Sequence, residues 1–116
     1  MAWLAVFFNF SEEVLMRLVD LSEVQAVDVS ASTYKGGLHF DIKLLLRGGE
    51  VVAFEIPATY DIEKIIRDLN VLITLSKSQK NLLDIFEIQE SGLVRRKLSE
   101  IKTNLMEVKS LREVEA

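Results

Sequence analysis

The chain has 116 residues, of which 49% are apolar and 28% are charged, and its formal net charge is −4. This length and composition predict a single folded domain and exclude a disordered chain. The sequence contains no cysteine, which excludes disulfides, thiolate chemistry and cysteine-ligated metals, and its acidic balance disfavours a non-specific coat for nucleic acid.

The N-terminal part of the chain predicts a strand followed by a helix. Residues 2–10 are almost all apolar, which is typical of a strand buried on both faces. Ser11 provides an N-cap oxygen for the segment that follows. Apolar residues then recur at helical spacing, and this predicts a helix over residues 11–21. The members of that stripe are Val14, Leu15, Leu18 and Val19.

Residues 25–56 alternate between apolar and polar side chains, which is the period of a β-strand. The glycine pairs Gly36-Gly37 and Gly48-Gly49 divide this region and suit tight turns. The pattern predicts an antiparallel meander with one face in solvent. The apolar face carries Val27, Val29, Ala31, Leu38, Phe40, Ile42, Leu44, Leu46, Val52, Phe54 and Ile56.

Pro57 ends the meander, and Thr59 or Asp61 is expected to cap a long helix. The pattern leaves open whether residues 60–90 form one helix or two. Ser91-Gly92 predicts a helix end, after which a final amphipathic helix is expected. The predicted fold is α+β, with an antiparallel sheet of about four strands in the order β-α-β-β-β-α. Helices cover one face of that sheet, and further C-terminal helices follow.

The chain is accordingly divided into a core domain, residues 1–92, and a C-terminal amphipathic segment, residues 93–116. This segment carries an apolar seam with steps of four, three, four and three residues, the a/d pattern of two heptads. Since an isolated helix of this length is marginal in water, the seam must pack within the chain or against a second copy. The predicted interaction residues are Val94, Leu98, Ile101, Leu105 and Val108.

Basic residues of the region 77–112 suggest an alternative function. They could contact the phosphates of a nucleic acid, which would make the protein a small nucleic-acid-binding or regulatory protein. Glutamates interleave with these residues, as in Arg96–Glu100 at i,i+4 spacing, which is typical of an exposed helix face. Protein association is therefore favoured over nucleic-acid binding. The candidate contacts are Lys77, Lys80, Arg95, Arg96 and Lys97.

A third hypothesis is an enzyme built on His39 and Asp41, which lie on the same side of a predicted strand. A carboxylate beside an imidazole can orient a general base. However, a solvated strand face offers neither a pocket nor an oxyanion hole. We therefore predict no enzyme activity, and no catalytic, cofactor-binding or metal-binding residue.

Two segments, FNFSEEVLMRLVDL and DIEKIIRDLNVLITL, resemble a known family, the small dimerising subunit of the KEOPS tRNA-modification complex. In the second segment, Ile66-Arg67 followed by Asn70 is similar to the family's Leu-Arg…Asn-Ser helix. Asn70 comes one residue early, Val71 replaces the serine, and the resemblance covers at most residues 3–86. It implies a non-catalytic dimer platform.

These observations together predict a non-enzymatic, self-associating assembly or scaffold subunit of an intracellular complex. The expected partner is a second copy or another protein. No segment approaches the roughly 20 apolar residues of a membrane-spanning helix, and the N terminus lacks the basic region of a signal peptide. We therefore expect a cytoplasmic protein without membrane contact.

Overall fold

The computed structural model describes residues 2–9, 14–34, 37–79, 84–97 and 99–100. This part of the chain forms seven strands and one α-helix, which confirms the α+β class. A 3-10 turn, Leu21–Glu23, links the second and third strands. The elements are β1 (Ala2–Asn9), β2 (Val14–Asp20), β3 (Val24–Tyr34), β4 (Gly37–Leu46), β5 (Val51–Pro57), α1 (Ile62–Ser78), β6 (Asp84–Gln89) and β7 (Gly92–Arg96).

The strands lie in two sheets rather than in one sheet of about four strands. The four-stranded sheet has the order β2-β1-β6-β7, in which β1 and β6 are parallel and the other neighbours are antiparallel. The three-stranded sheet has the order β3-β4-β5 and is antiparallel throughout. It contains the predicted meander, whose strands and apolar face are confirmed.

The two sheets and α1 bury their apolar side chains in one common core. We call the side of each sheet that faces this core its inner face, and the opposite side its outer face. Because successive strand residues point to opposite sides, alternate residues of β1 divide between the two faces. The core residues are Ala2, Leu4, Val6, Val19, Leu21, Val24, Ile42, Leu44, Val52, Ile56, Ile65 and Leu69.

The apolar run at the N terminus forms a buried strand, as predicted. β1 lies between β2 and β6, so its backbone is hydrogen-bonded on both sides. At its start, the backbone N–H of Ala2 donates to the buried hydroxyl of Ser76 in α1 (2.9 Å). This contact fixes the C-terminal end of the helix against the inner face of the four-stranded sheet.

The helix predicted over residues 11–21 is wrong where the structure describes it. Residues 14–20 form β2, which pairs with β1 from Asn9↔Val14 to Trp3↔Asp20. The sequence VLMRLVD is apolar at alternate positions as well as at helical ones, so its local pattern fits both structures. Pairing with β1 decides between them, because a strand satisfies the backbone groups along that side of β1. Residues 11–13 lie outside the described part of the chain.

The helix after Pro57 begins as predicted. Asp61 is its N-cap residue, and its carboxylate accepts a hydrogen bond from the backbone N–H of Lys64 (3.1 Å). The helix ends at Ser78, and the apolar segment after it contains a strand, β6. The described part of residues 60–90 therefore holds one helix and not two.

The predicted helix end at Ser91-Gly92 is also wrong. Gly92, at φ +141°, begins β7 directly after the turn at Glu90 and Ser91, and β7 forms a hairpin with β6. Residues 93–96, expected to begin the C-terminal helix, therefore belong to a strand. Pairing with β6 determines this outcome, since glycine at positive φ suits a hairpin as well as a helix end.

Candidate functional site: a groove beside a strand edge

A groove of about 970 Å³ lies between β3 and α1. Its apolar lining comes from both elements, with Val24, Val27 and Val29 on the strand and isoleucines on the helix. Exposed polar residues of α1 form its rim, among them Arg67 and Lys77. The groove thus combines an apolar floor with a partly basic margin. Its isoleucines are Ile62, Ile66 and Ile73.

The groove exists because α1 is fixed to the four-stranded sheet and not to β3. The carboxylate of Asp68 accepts a hydrogen bond from the backbone N–H of Leu93 in β7 (3.1 Å) and one from Nζ of Lys64 (2.6 Å). The helix buries Ile65, Leu69 and Ser76, which lie on the side turned toward that sheet. The flank of β3 consequently stays open.

The charge of Asp68 stabilises this attachment. Its partial burial acts to raise the pKa of the carboxyl, because burial disfavours the charged form. The hydrogen bonds from Lys64 and Leu93 and the nearby charges of Lys64 and Arg67 outweigh that effect. Together they hold the pKa of Asp68 below its ordinary value of 3.8. The carboxylate is therefore charged at neutral pH.

The strand that borders the groove has an open edge. β3 pairs with β4 on one side, and no described strand lies on its other side. It spans 11 residues without a proline, and its only charged residue is Asp28. Val29, at the middle of the strand, is 43% exposed although it points to the inner face. Such an edge can pair with another strand.

The other three sheet edges carry features that oppose further pairing. β2 carries Arg17, which forms an ion pair with Glu50. β5 ends at Pro57, and β7 has only five residues, two of them arginines. Charged side chains, proline and short length are common ways to protect an edge from another strand. Among the described edge strands, β3 is the longest, and its protecting features are one charged residue, Asp28, and a register shift between Val24 and Ala26 near its start.

The structure places His39 and Asp41 on the outer face of the three-stranded sheet, as predicted. Their register partners on β3 are Ser32 and Ser30. A depression of about 290 Å³ lies beside Asp41 and Lys43, and His39 does not line it. Within the described part of the chain, the buried Nδ1 of His39 has no hydrogen-bond partner. Asp41 therefore does not orient the imidazole through Nδ1, as a general base would require.

The candidate nucleic-acid contacts do not form one basic patch in the described residues. Arg95 is 3.0 Å from Asp84, and Arg96 is 3.3 Å from Glu87 and 3.5 Å from Glu100. Since Arg95 and Arg96 are adjacent on a strand, they point to opposite faces of the sheet. Lys77 lies at the rim of the groove, Lys97 is exposed after β7, and Lys80 falls outside the described residues.

Of the predicted interaction residues, the structure describes only Val94. It lies on β7 rather than on a helix, and its side chain is 37% exposed on the outer face of the four-stranded sheet. The other four lie outside the described residues. Those four are Leu98, Ile101, Leu105 and Val108.

The sequence does not predict the groove, although it places Val27 and Val29 of the lining on an apolar strand face. One usable signal was the composition of β3, a long alternating segment with neither lysine nor proline. The position of α1 was not visible, because the contact that sets it joins Asp68 to Leu93, 25 residues later.

The described residues contain no group of three or more His, Cys, Asp or Glu side chains that could hold a metal ion. No helix in the same part of the chain is long and apolar enough to cross a membrane. No family model matches the sequence, and no curated protein or solved structure shows significant similarity to it.

Proposed function

We propose that this protein is a non-enzymatic assembly subunit that associates with a second copy of itself by pairing the edges of β3. The observation that carries the proposal is the long open edge of β3 beside an apolar groove. An edge strand with unpaired backbone groups is a template for another strand. An apolar surface next to it gives the added strand a place to bury its side chains.

The composition of β3 suits pairing with itself. Val29 is the central residue of β3 (Val24–Tyr34), so an antiparallel pair centred there would extend along the strand on both sides of it, from the register shift at Val24 and Ala26 onward. Asp28 would then lie opposite Ser30 of the second copy, and the two aspartates would not face each other. Like charges directly opposite would destabilise the pair. The exposed valines of the two copies would come together over the groove.

The expected strength of this contact comes from backbone and apolar terms together. Each backbone hydrogen bond contributes about 1 kcal/mol net, and association costs at least about 4 kcal/mol in lost freedom. A long strand pair can therefore exceed that cost. Full burial of a wholly exposed valine side chain contributes about 1.5–3 kcal/mol. Since Val29 is 43% exposed, its burial would add about 0.6–1.3 kcal/mol, and a two-fold contact includes this gain twice. Val29 is thus the residue at which one substitution should weaken the dimer most.

The test compares two exposed valines at opposite edges of the same sheet. Val29→Lys places an ammonium group at the edge of β3, and Val51→Lys places one on β5, where Val51 is 49% exposed. Each variant keeps the full chain, and circular dichroism checks that it folds. The mass in solution is measured by analytical ultracentrifugation from about 1 to about 100 μM, a range in which contacts of ordinary affinity dissociate.

We expect the wild type and Val51→Lys to be dimers at the upper concentration. Val29→Lys should dimerise at least about tenfold more weakly, because about 0.7 kcal/mol of apolar burial is lost in each copy and a charge is added at the contact. A monomeric wild type would overturn the proposal, as would a Val29→Lys dimer of unchanged affinity. If Val29→Lys fails to fold, Ala31→Lys, at an exposed position of the same strand, replaces it.

The resemblance to the dimerising KEOPS subunit and the cytoplasmic location remain predictions. Neither enters the case for β3 pairing. The contacts of Arg95 and Arg96 with carboxylates favour the assembly function over the nucleic-acid alternative, since paired charges have less to offer a phosphate backbone.

A further inference from the structure

Two exposed cations of the groove, Arg67 and Lys77, form no ion pair within the described part of the chain. They differ in this respect from most of the arginines and lysines that the structure describes. A cation without an ion pair keeps its charge and its hydrogen-bond donors available to a ligand. The described cations that do form ion pairs are Arg17, Arg47, Lys64, Arg95 and Arg96.

Arg67 and Asn70 place hydrogen-bond donors together at the middle of the groove. They lie three residues apart on α1, so their side chains are neighbours on the helix surface, and both line the groove. Neither side chain makes a hydrogen bond among the described residues. The adjacent Asp68 accepts its hydrogen bonds from Lys64 and from the backbone of Leu93 instead. The guanidinium of Arg67 and the amide of Asn70 can therefore both donate to a bound carboxylate.

The floor of the groove is apolar and long enough for a hydrocarbon chain. Its lining on α1 extends from Ile62 to Lys77, which is about 22 Å along the helix axis. Its volume of about 970 Å³ lies at the upper end of the range for small-molecule sites. Ile66 and Ile73 line it on the two sides of Asn70 and are half-buried. A chain that lies against them would remove further apolar surface from water.

We propose that the groove binds an amphipathic carboxylate of the fatty-acid class. Arg67 and Asn70 would donate to the carboxylate, and the hydrocarbon chain would lie against Ile66 and Ile73. The lining contains a single acid, Glu63, beside its two cations, so an anionic head group is favoured over a cationic one. The site lies within one chain and does not require the proposed pairing of β3.

The first experiment varies the ligand. Dodecanoate is titrated into the full-length protein by isothermal titration calorimetry, and octanoate and dodecyltrimethylammonium are titrated in parallel. We expect about one dodecanoate per chain. Octanoate should bind at least about tenfold more weakly, because its shorter chain buries less apolar surface. Dodecyltrimethylammonium should also bind more weakly, since its head group carries the opposite charge. Absence of dodecanoate binding, adsorption of many molecules per chain, or equal affinity for the cationic ligand would overturn the proposal.

The second experiment varies the protein. Arg67→Gln removes the charge at the groove, and glutamine is a good helix former, so α1 should be kept. The matched control is Lys43→Gln, because Lys43 is an exposed cation without an ion pair among the described residues and does not line the groove. Circular dichroism checks that both variants fold. Arg67→Gln should bind dodecanoate about fivefold more weakly, the change expected for an exposed ion pair, and Lys43→Gln should bind it as the wild type does. Unchanged affinity in Arg67→Gln, or the same loss in both variants, would overturn the role of Arg67.

A third measurement separates this proposal from the pairing of β3, since Val29 belongs both to the groove and to the proposed contact between copies. Ala31→Lys opposes pairing at the edge of β3 and keeps every residue of the groove lining. We expect it to bind about one dodecanoate per chain, with an affinity at least equal to that of the wild type. Absence of binding to this variant would overturn the ligand site, whether or not the wild type is a dimer. A monomeric wild type that binds dodecanoate would overturn the pairing of β3 alone.

Discussion

The outer faces of the two sheets differ in chemistry although both sheets belong to one core. The four-stranded sheet presents Trp3, Phe7 and Leu18 on its outer face, and the three-stranded sheet presents Asp28, Asp41 and Lys43. The inner faces are alike, since both supply buried aliphatic residues to the same core. The two outer faces therefore differ in polarity, whereas the two inner faces do not.

The two sheets also differ in where their exposed apolar residues lie. The three-stranded sheet has a polar outer face around Asp41 and Lys43, and Val29 is exposed at the edge of β3, beside the groove. In the four-stranded sheet, Leu18 and Val94 are exposed on the outer face. The exposed residue at the open edge suits the addition of a strand.

The largest expected effect comes from placing a carboxylate on each outer face. Ala5→Glu buries a charge at a position that is 3% exposed, and Ala53→Glu places one at an exposed position beside Lys43. We expect the first change to lower the free energy of unfolding by about 3–5 kcal/mol, because a buried unpaired charge is strongly destabilising. The second should change it by less than about 0.5 kcal/mol. Urea denaturation measures both, and equal effects would contradict the comparison.

The hairpin turns of the two sheets give a second, smaller difference. Gly92 and Gly49 both have positive φ, at +141° and +92°. A Cβ at Gly92 would lie 2.7 Å from the Asp68 carboxylate, whereas one at Gly49 would meet nothing within 4 Å. We expect Gly49→Ala to cost about 1 kcal/mol through backbone strain alone. Gly92→Ala should cost about 2–3 kcal/mol, since the added methyl also displaces Asp68. Thermal unfolding of the two variants isolates the contact with α1.

The attachment of α1 to the four-stranded sheet should depend on pH. Since the pKa of Asp68 is lower in the folded protein than in the unfolded chain, its stabilising effect is present above the unfolded pKa. It is lost as the pH falls through the lower, folded pKa. Asp68→Asn should therefore cost about 1 kcal/mol at pH 7, and this cost should decrease as the pH falls below 3.8 and through the folded pKa.

Asp28→Asn on the three-stranded sheet is the control for that experiment, because Asp28 is exposed. Its free energy of unfolding should stay close to that of the wild type at both pH values. A cost of Asp68→Asn that does not change with pH would mean that the carboxylate acts through packing and not through its charge.

The sequence predicts the parts of this fold that depend on neighbouring residues. The meander from β3 to β5 follows from strict alternation, and the start of α1 follows from the cap at Asp61. β2 and β6 have local patterns that fit a helix equally well. Their strand structure depends on pairing with β1, and for β6 the partners are about 80 residues apart, as in Ala2↔Asp84. Contacts at such separations leave little trace in local periodicity.

In the candidate site too, features that depend on neighbouring residues are predicted from the sequence, and features that depend on distant contacts are not. The polar outer face around His39 was predicted from alternation, and the structure places it there. The groove depends on where α1 lies relative to β3, and that position is set by contacts of Asp68 and Ser76 with distant strands. An apolar stripe predicts that a helix is packed, but not which sheet receives it.

The smallest expected effect belongs to His39, the only histidine of the chain. It is half-buried on the outer face of the three-stranded sheet, and its buried Nδ1 lacks a hydrogen-bond partner among the described residues. Truncation at such a position removes no hydrogen bond from Nδ1, so His39→Ala should change the free energy of unfolding by less than about 0.5 kcal/mol. It should also leave the mass in solution unchanged, because His39 lies on β4, which pairs with β3 on the side opposite to the open edge of β3. Urea denaturation and sedimentation measure both quantities in His39→Ala and in the control Ser32→Ala, since Ser32 is the register partner of His39.

A loss of several kcal/mol in the free energy of unfolding, or a loss of the dimer, in His39→Ala alone would show that this outer face also makes a contact. The contrast between the two sheets would then be wrong.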